Sequence, residues 1–480
     1  HVVGLANPFT DDVFAVTRIG QSFPGHSAGE WRNERAFAAI RTDGSVVTWG
    51  DPLYGGDSRA VAAQLDGTND VVQVFSTQRA FAALRADGSV VTWGDQRFGG
   101  DSSAVAAQLD GTNDVVQVFS TESAFAALRA DGSVVTWGGY GGGNSLDGTN
   151  DVVQVFSTGS AFAALRADGS VVTWGSLFYG GTSSSEVATQ LDGTNDVVQV
   201  FSTVGAFAVL RADGSVVTWG DAGYGGDSSA VAAQLDGTID VVQVFSAWYA
   251  FAALRADGSV VTWGYSSLGG DSSAVAAQLD GTNDVVQVFS TGSAFAAVRA
   301  DGSVVTWGDP GHGGDSAAVA AQLDGTNDVV QVFSTVGAFA ALHADGSVVT
   351  WGASWSGGDS SAVAAQVDGT IDVVQVASTV DAFAALRADG SVVTWGGHGG
   401  NNSAVAAQLD GTNDVVEVFS TGWAFAALRA DGSVVTWGDS TSGGSIGQAP
   451  PVDGTSDVVQ VFSTVGAFAA LRADGSVVTW

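Results

Sequence analysis

The chain has 480 residues with no cysteine or methionine, 67 glycines and only 6 prolines, which excludes a disulfide framework and any thiolate metal site and points to a turn-rich β protein. Its 16 basic residues are all arginine and face 50 acids, giving a net charge of −34, which argues against nucleic acid as a partner because phosphate binding needs clustered lysine and arginine. No apolar run is long enough to span a bilayer, so no membrane insertion is expected.

Residues 1–35 are atypical. "VFAVTRIG" reads as a degenerate first strand, and "QSFPGHSAGEWRNER" as a long loop or cap. From residue 36 to 480 one unit recurs, with tryptophans at Trp49, Trp93, Trp137, Trp174, Trp219, Trp263, Trp307, Trp351, Trp395, Trp437 and Trp480. Successive spacings run from 37 to 45 residues, mostly 44, so about ten units lie between the first and the last. A period in this range belongs to propellers and solenoids.

In the unit around Trp93, "DVVQVFST" is β-branched and aromatic and reads as a strand, "AFAALRA" as a second and "SVVTW" as a third. Asp87-Gly88 between the last two predicts a two-residue hairpin turn. That turn would set Ala86 opposite Ser89, Leu84 opposite Val91 and Ala82 opposite Trp93. Phe81, Ala83, Arg85, Val90 and Thr92 would then take the other face. Both faces are largely apolar, so each sheet is expected to be covered on both sides, small alanines of one unit making room for the aromatics of the next. A lone unit cannot bury both faces and needs neighbours. The connector "DSSAVAAQL" that follows predicts a short helical turn. It is shortened or rewritten at Gly139 to Leu146 and at Ser440 to Val452, so it is a connector and not the core.

The "AFAAL" strand, the repeated "DGSVVTWG" and the glycine pair after it resemble the regulator-of-chromosome-condensation repeat, over nearly the whole of residues 36–480. The resemblance implies a β-propeller-like architecture. Two departures stand out: "GGDSSAVAAQL" replaces the family's Gly-Gln-Leu-Gly segment, and ten to eleven repeats exceed the usual seven blades. The expected fold is therefore all-β with short helical connectors, three-stranded repeats stacked as an open, superhelical array or as a propeller. The family's nucleotide-exchange activity does not carry over, because the loops it depends on have no match here.

Variation concentrates in two places. One follows "FST" or its variants, as in Gln78-Arg79, Trp248-Tyr249 and Gly422-Trp423; the other follows "TWG", as in "DPLY", "DQRF", "SLFY", "DAGY" and "ASWS". Strand directions put both on one edge of the array. Variable loops on a repeated scaffold suit recognition, and Tyr54, Phe98, Tyr179, Tyr224, Trp248, Tyr249, Trp355 and Trp423 are the candidate binding residues. Drift in exposed loops is the competing reading. The bulky residue five after the repeat tryptophan (Tyr54, Phe98, Tyr179, Tyr224, Leu268, His312) can equally serve to pack under the next glycine pair.

"DGTND" and its variants recur with paired aspartates, Asp66 and Asp70, Asp110 and Asp114, Asp280 and Asp284. These are the candidate calcium ligands, since Ca²⁺ takes carboxylate and carbonyl oxygens from flexible loops. The same residues are ordinary turn formers, and turns are the preferred reading. No other cofactor is indicated. The five histidines share no spacing, no Ser-His-Asp arrangement is supported, and nearly every residue occurs about ten times, so an enzyme is not expected. The repeated hairpin arginines (Arg85, Arg129, Arg166, Arg211) are expected to pair with nearby aspartates.

Near identity, absence of cysteine and lysine, and strong acidity together suggest a non-enzymatic segment of an exported surface, fibre or adhesive protein. The chain opens on His1 and stops at Trp480 where every other copy continues with glycine, so it reads as a piece of a longer protein. The expected partners are other copies of the chain or an extracellular or cell-surface protein or glycan. The alternative is a protein- or glycan-binding module that uses the variable edge.

Overall fold

The computed structural model describes residues 13–16, 33, 35–41, 43–140, 142, 151–182, 184–445, 458–463 and 466–480. The fold is all-β: eleven three-stranded antiparallel sheets follow one another along the described chain, each a simple meander. The first comprises β1 (Val13–Val16), β2 (Ala36–Arg41) and β3 (Val46–Gly50). The second comprises β4 (Val71–Ser76), β5 (Ala80–Arg85) and β6 (Val90–Gly94), and the third β7 (Val115–Ser120), β8 (Ala124–Arg129) and β9 (Val134–Gly138). The degenerate strand in "VFAVTRIG" is thus β1, paired with β2; most of "QSFPGHSAGEWRNER" lies outside the described residues. Contacts group the chain into two compact units, the first ending at Ala222 and the second covering Gly223–Trp480. The repeat-to-repeat geometry below holds within each.

The hairpin register differs from the expected one by one residue. Phe81 lies opposite Trp93, Ala83 opposite Val91 and Leu84 opposite Val90. The turn has three residues, not two: Arg85 N–H bonds the Ser89 carbonyl at 2.9 Å, and Gly88 N–H bonds the Arg85 carbonyl at 3.0 Å. Gly88 alone carries the left-handed conformation, with φ +74°, as in a hairpin closed by a glycine bulge. A one-residue slip moves every side chain relative to its partner strand. Here it brings Phe81 and Trp93 onto the same face, stacked with centroids 5.3 Å apart.

A second departure from regular pairing is the bulge in the first strand. Val71 pairs with Arg85 and Gln73 with Leu84, so Val72 is the extra residue. The bulge turns Val72 outward, 52% exposed, while Val71 and Val74 stay buried. The same irregularity recurs in every sheet.

The core lies between sheets. Ala80, Ala82, Leu84 and Val90 of the second sheet pack against Phe125, Ala127, Val135 and Trp137 of the third, with Leu109 of the connector at the edge. The pattern repeats at Ala250, Ala252 and Leu254 against Phe295, Ala297 and Trp307, and at Ala382, Ala384 and Leu386 against Phe425, Ala427 and Trp437. Small residues of one sheet admit the stacked Phe-Trp pair of the next, so both faces of an interior sheet are buried. Each buried valine, leucine or phenylalanine side chain contributes about 1.5–3 kcal/mol. That gain exists only when the neighbouring repeat is present.

The hydrogen bonds between repeats explain the constancy of the other elements. Val115 N–H reaches back to the Gly88 carbonyl at 2.8 Å, and Val90 N–H bonds the Leu109 carbonyl at 2.9 Å. A Cβ on Gly88 would lie 2.5 Å from Asp114 Cα. The Asp-Gly turn of one repeat therefore fits only against the "DGTND" segment that enters the next. The connector forms a six-residue 3₁₀ helix, Ser103–Gln108, and in one repeat a short α-helix, Ser185–Gln190. Of the rewritten connectors, most of Gly139 to Leu146 lies outside the described residues, while that at Ser440 to Val452 is described as far as residue 445 and opens with a 3₁₀ turn, Ser440–Ser442. Among the described residues no helix is long and apolar enough to cross a membrane.

Candidate functional site

In most repeats both variable segments are tied together by one recurring threonine, which is alanine at Ala247. Thr77 Oγ accepts from Ala80 N–H at 3.1 Å and donates to the Phe98 carbonyl at 2.8 Å. Thr158 bonds the Tyr179 carbonyl, Thr291 that of His312, Thr335 that of Ser356 and Thr421 that of Ser442, at 2.9–3.0 Å. The segment after strand one and the segment after strand three thus meet at one edge.

The segment after strand three is a 3₁₀ turn of three residues. Asp95 caps Gln96–Phe98 by accepting from Arg97 N–H at 2.9 Å, and Gly99 ends the turn with φ +92°. A Cβ on Gly99 would lie 2.6 Å from Phe125 Cδ2. The Trp137 indole N–H donates to the Gly99 carbonyl at 3.0 Å. The last residue of the turn therefore points toward the inter-repeat core. Tyr54 is buried there, and Phe98 and Tyr179 are partly buried against neighbouring core residues.

Side chains from the two segments alternate between neighbouring repeats. The Arg79 guanidinium lies over the Tyr54 ring and over the Phe98 ring, 4.9 Å from each centroid, and Arg35 lies over Tyr54 at 5.3 Å. Tyr224 stacks on Tyr249 at 5.1 Å, and Trp248 meets Tyr249 edge-on at 6.4 Å. His312 meets Trp355 edge-on at 6.1 Å. His398 holds Asp381 through Nδ1 at 2.8 Å and meets Trp423 edge-on at 5.4 Å. The Asp381 bond, then its charge, raises the pKa of His398 above the usual imidazole value. Backbone bonds run alongside: Gln78 N–H to the Glu122 carbonyl, Glu122 to Gly159 and Gly159 to Val204 in the first unit. In the second they join Trp248 to Gly292, Gly292 to Val336, Val336 to Val380 and Val380 to Gly422.

Of the eight candidate binding residues, only Trp355 is strongly exposed, at 56%. The middle residue of the 3₁₀ turn is the outward one. Leu53 is 74% exposed and Phe178 75%, whereas the candidate residues beside them, Tyr54 and Tyr179, turn inward. Period alone does not separate adjacent turn positions; the signal is the residue immediately before the one that precedes the glycine pair.

The paired aspartates act as turn residues. Asp66, Asp110 and Asp280 each accept from the backbone N–H of the threonine two residues on, at 2.9–3.0 Å, and from its hydroxyl at 2.7 Å. Those bonds lower their pKa values. Asp70, Asp114 and Asp284 accept through their carbonyls from Ala86, Ala130 and Ala300 at 2.8 Å. Among the described residues no three acidic, histidine or cysteine side chains come together as a metal site. His343 is buried and bonds the Asn327 carbonyl at 3.0 Å, apart from His312 and His398; His1 and His26 lie outside the described residues. The hairpin arginines bond serine first: Arg85 Nε donates to Ser89 Oγ at 2.7 Å, with Asp87 at 3.9 Å. Arg166 instead faces Asp151 at 3.6 Å.

No known family profile matches the chain, and no curated protein matches it in sequence. Solved structures resemble it at low identity. The ectodomain of the Physcomitrella patens receptor kinase CR4 is 14% identical over 59% of this chain and 73% of its own, with a TM-score of 0.32. Human WBSCR16 is 20% identical over 52% and 78%, with a TM-score of 0.31. Prp20p from Saccharomyces cerevisiae is 16% identical over 49% and 71%, with a TM-score of 0.32.

Proposed function

We propose that this chain is a non-enzymatic repeat segment of a long exported surface, fibre or adhesive protein. The observation that carries the reading is where the constant residues go. The Phe-Trp stack, the alanines, the Asp-Gly turn and the glycine pair are all engaged at junctions between repeats. A sequence whose repetition serves stacking extends length by adding units. Its acidity suits solubility in salt. Negative-stain electron microscopy of the purified chain tests this: extended or end-joined particles are expected, and a uniform field of compact discs contradicts it.

A second reading is supported by the outward turn residues. Leu53, Phe178 and Trp355 each stand outward on the turn of their own repeat, where repeats differ most, which suits recognition of a protein or glycan. Replacing Trp355 and Phe178 with alanine is expected to abolish capture of that ligand from the native source without changing the melting profile. Undiminished capture contradicts this reading.

A further inference from the structure

The connector between Trp395 and Trp437 departs from its siblings in one chemically telling way. Six other connectors open on an aspartate (Asp57, Asp101, Asp227, Asp271, Asp315 and Asp359), whose Oδ1 accepts from the backbone N–H two residues on at 2.8–3.0 Å. Here the same place holds Asn401, in the run Asn401-Asn402-Ser403. Asn401 Oδ1 accepts from Ser403 N–H at 3.0 Å, so the turn made by the aspartates is reproduced. The exchange leaves the backbone as it is in the siblings and alters the other side-chain atom, from a carboxylate oxygen to an amide nitrogen.

That nitrogen is open to solvent chemistry. Asn401 and Ser403 are both exposed. Among the described residues neither Asn401 Nδ2 nor the Ser403 hydroxyl has a hydrogen-bond partner. The connector is anchored by other residues: Leu409 and Val405 pack into the junction that holds Phe425 and Trp437. Bulk added at Asn401 therefore projects into solvent and spares the burial between sheets. Asparagine, any residue but proline, then serine or threonine is the acceptor signature for N-linked sugar. Of the chain's twelve asparagines only Asn401 begins such a run.

We infer that Asn401 is an acceptor site for an N-linked glycan. The donor class is an oligosaccharide on a lipid pyrophosphate, brought by a membrane-bound transferase. A bond forms between Asn401 Nδ2 and the anomeric carbon of the first sugar. The bond from that carbon to the phosphate oxygen breaks, its electron pair leaves with the lipid pyrophosphate, and one amide proton passes to a base of the transferase. The inference deepens the first reading above, that of an exported protein, and rests on it.

The full chain, given a secretion leader and expressed in insect cells, tests the site without relying on native export. The secreted protein is treated with peptide-N-glycosidase in ¹⁸O water and the connector peptide is read by mass spectrometry. Conversion of Asn401 to ¹⁸O-labelled aspartate is expected, with a gel shift that the enzyme removes. Asn401→Asp restores the residue of the sibling connectors, so it is expected to keep the melting profile and lose the shift. Ser403→Ala is expected to lose the shift as well, and Ser403→Thr to keep it. An unmodified Asn401 in the secreted wild-type chain, or a modification that survives Ser403→Ala, overturns the acceptor site and leaves the export reading standing. A native chain found only in the cytoplasm overturns the export reading, and the inference with it.

Discussion

The Trp137 indole N–H meets the Gly99 carbonyl at 3.0 Å, across the junction between one repeat's connector and the next repeat's third strand. The same bond joins Trp93 to Gly55, Trp263 to Gly225, Trp307 to Gly269, Trp351 to Gly313, Trp395 to Gly357 and Trp437 to Gly399. Among the described residues Trp174, which follows the shortest spacing, has no partner for its buried indole nitrogen. The pair makes a controlled comparison. Trp137→Phe is expected to cost about 1 kcal/mol more than Trp174→Phe, the net worth of one buried hydrogen bond. Urea unfolding followed by tryptophan-independent circular dichroism reads the difference; equal costs contradict the role assigned to the bond.

Gly99 sits where a side chain is doubly unfavourable, with φ +92° and a Cβ that would overlap Phe125. Gly99→Ala is expected to destabilise that junction by about 1–3 kcal/mol from backbone strain alone, with the ring overlap adding to it. A melting midpoint unchanged from wild type contradicts the packing described.

The bulge predicts opposite sensitivities for adjacent residues. Val72→Thr is expected to change stability by no more than about 0.5 kcal/mol, as a surface substitution does. Val71→Thr buries a hydroxyl and is expected to cost about 1–3 kcal/mol. Reversed sensitivities in chemical denaturation would show a strand without the bulge.

Two pH effects of opposite sign follow from the charges. Asp345 is held down to about 2, first by the Ser347 hydroxyl, then by Asn327 and the Ser347 backbone N–H. Its folded pKa lies below the unfolded one, so its stabilisation is present above about pH 4 and is lost as pH falls toward 2. Resistance to urea is expected to fall steeply across that window, and Asp345→Asn to flatten the fall. His398 behaves the other way. Its folded pKa is raised by Asp381, so its contribution is full below the ordinary imidazole pKa and is lost as pH rises through the folded value. An NMR titration of the His398 ring is expected to show a midpoint above 6.5 that drops in Asp381→Asn; a midpoint at or below 6.5 in the wild type contradicts the pairing.

Much of this architecture was readable from residue order. β-branched and aromatic runs marked the three strands, and apolar character on both faces of "AFAALRA" and "SVVTW" required neighbours on both sides. The register was not readable, because Asp-Gly serves both two-residue and three-residue hairpin loops; Ser89 pairing with Arg85 decides between them, and that choice reverses which face Trp93 shares with Phe81. The bulge at Val72 was hidden for a related reason: "VVQV" is equally good strand sequence with or without an extra residue. At the edge, the two variable segments were correctly brought together by strand direction. Their mutual contacts, such as Arg79 on Tyr54, join residues of neighbouring repeats, and no local pattern within one repeat reveals them.

Hydrophobic burial in this fold happens between repeats and not within them. The direct test is the folding of an excised copy, residues 70–113, beside a tandem of three such copies. Circular dichroism is expected to show no cooperative melt for the single copy and a cooperative one for the tandem. A single copy that melts cooperatively would contradict it.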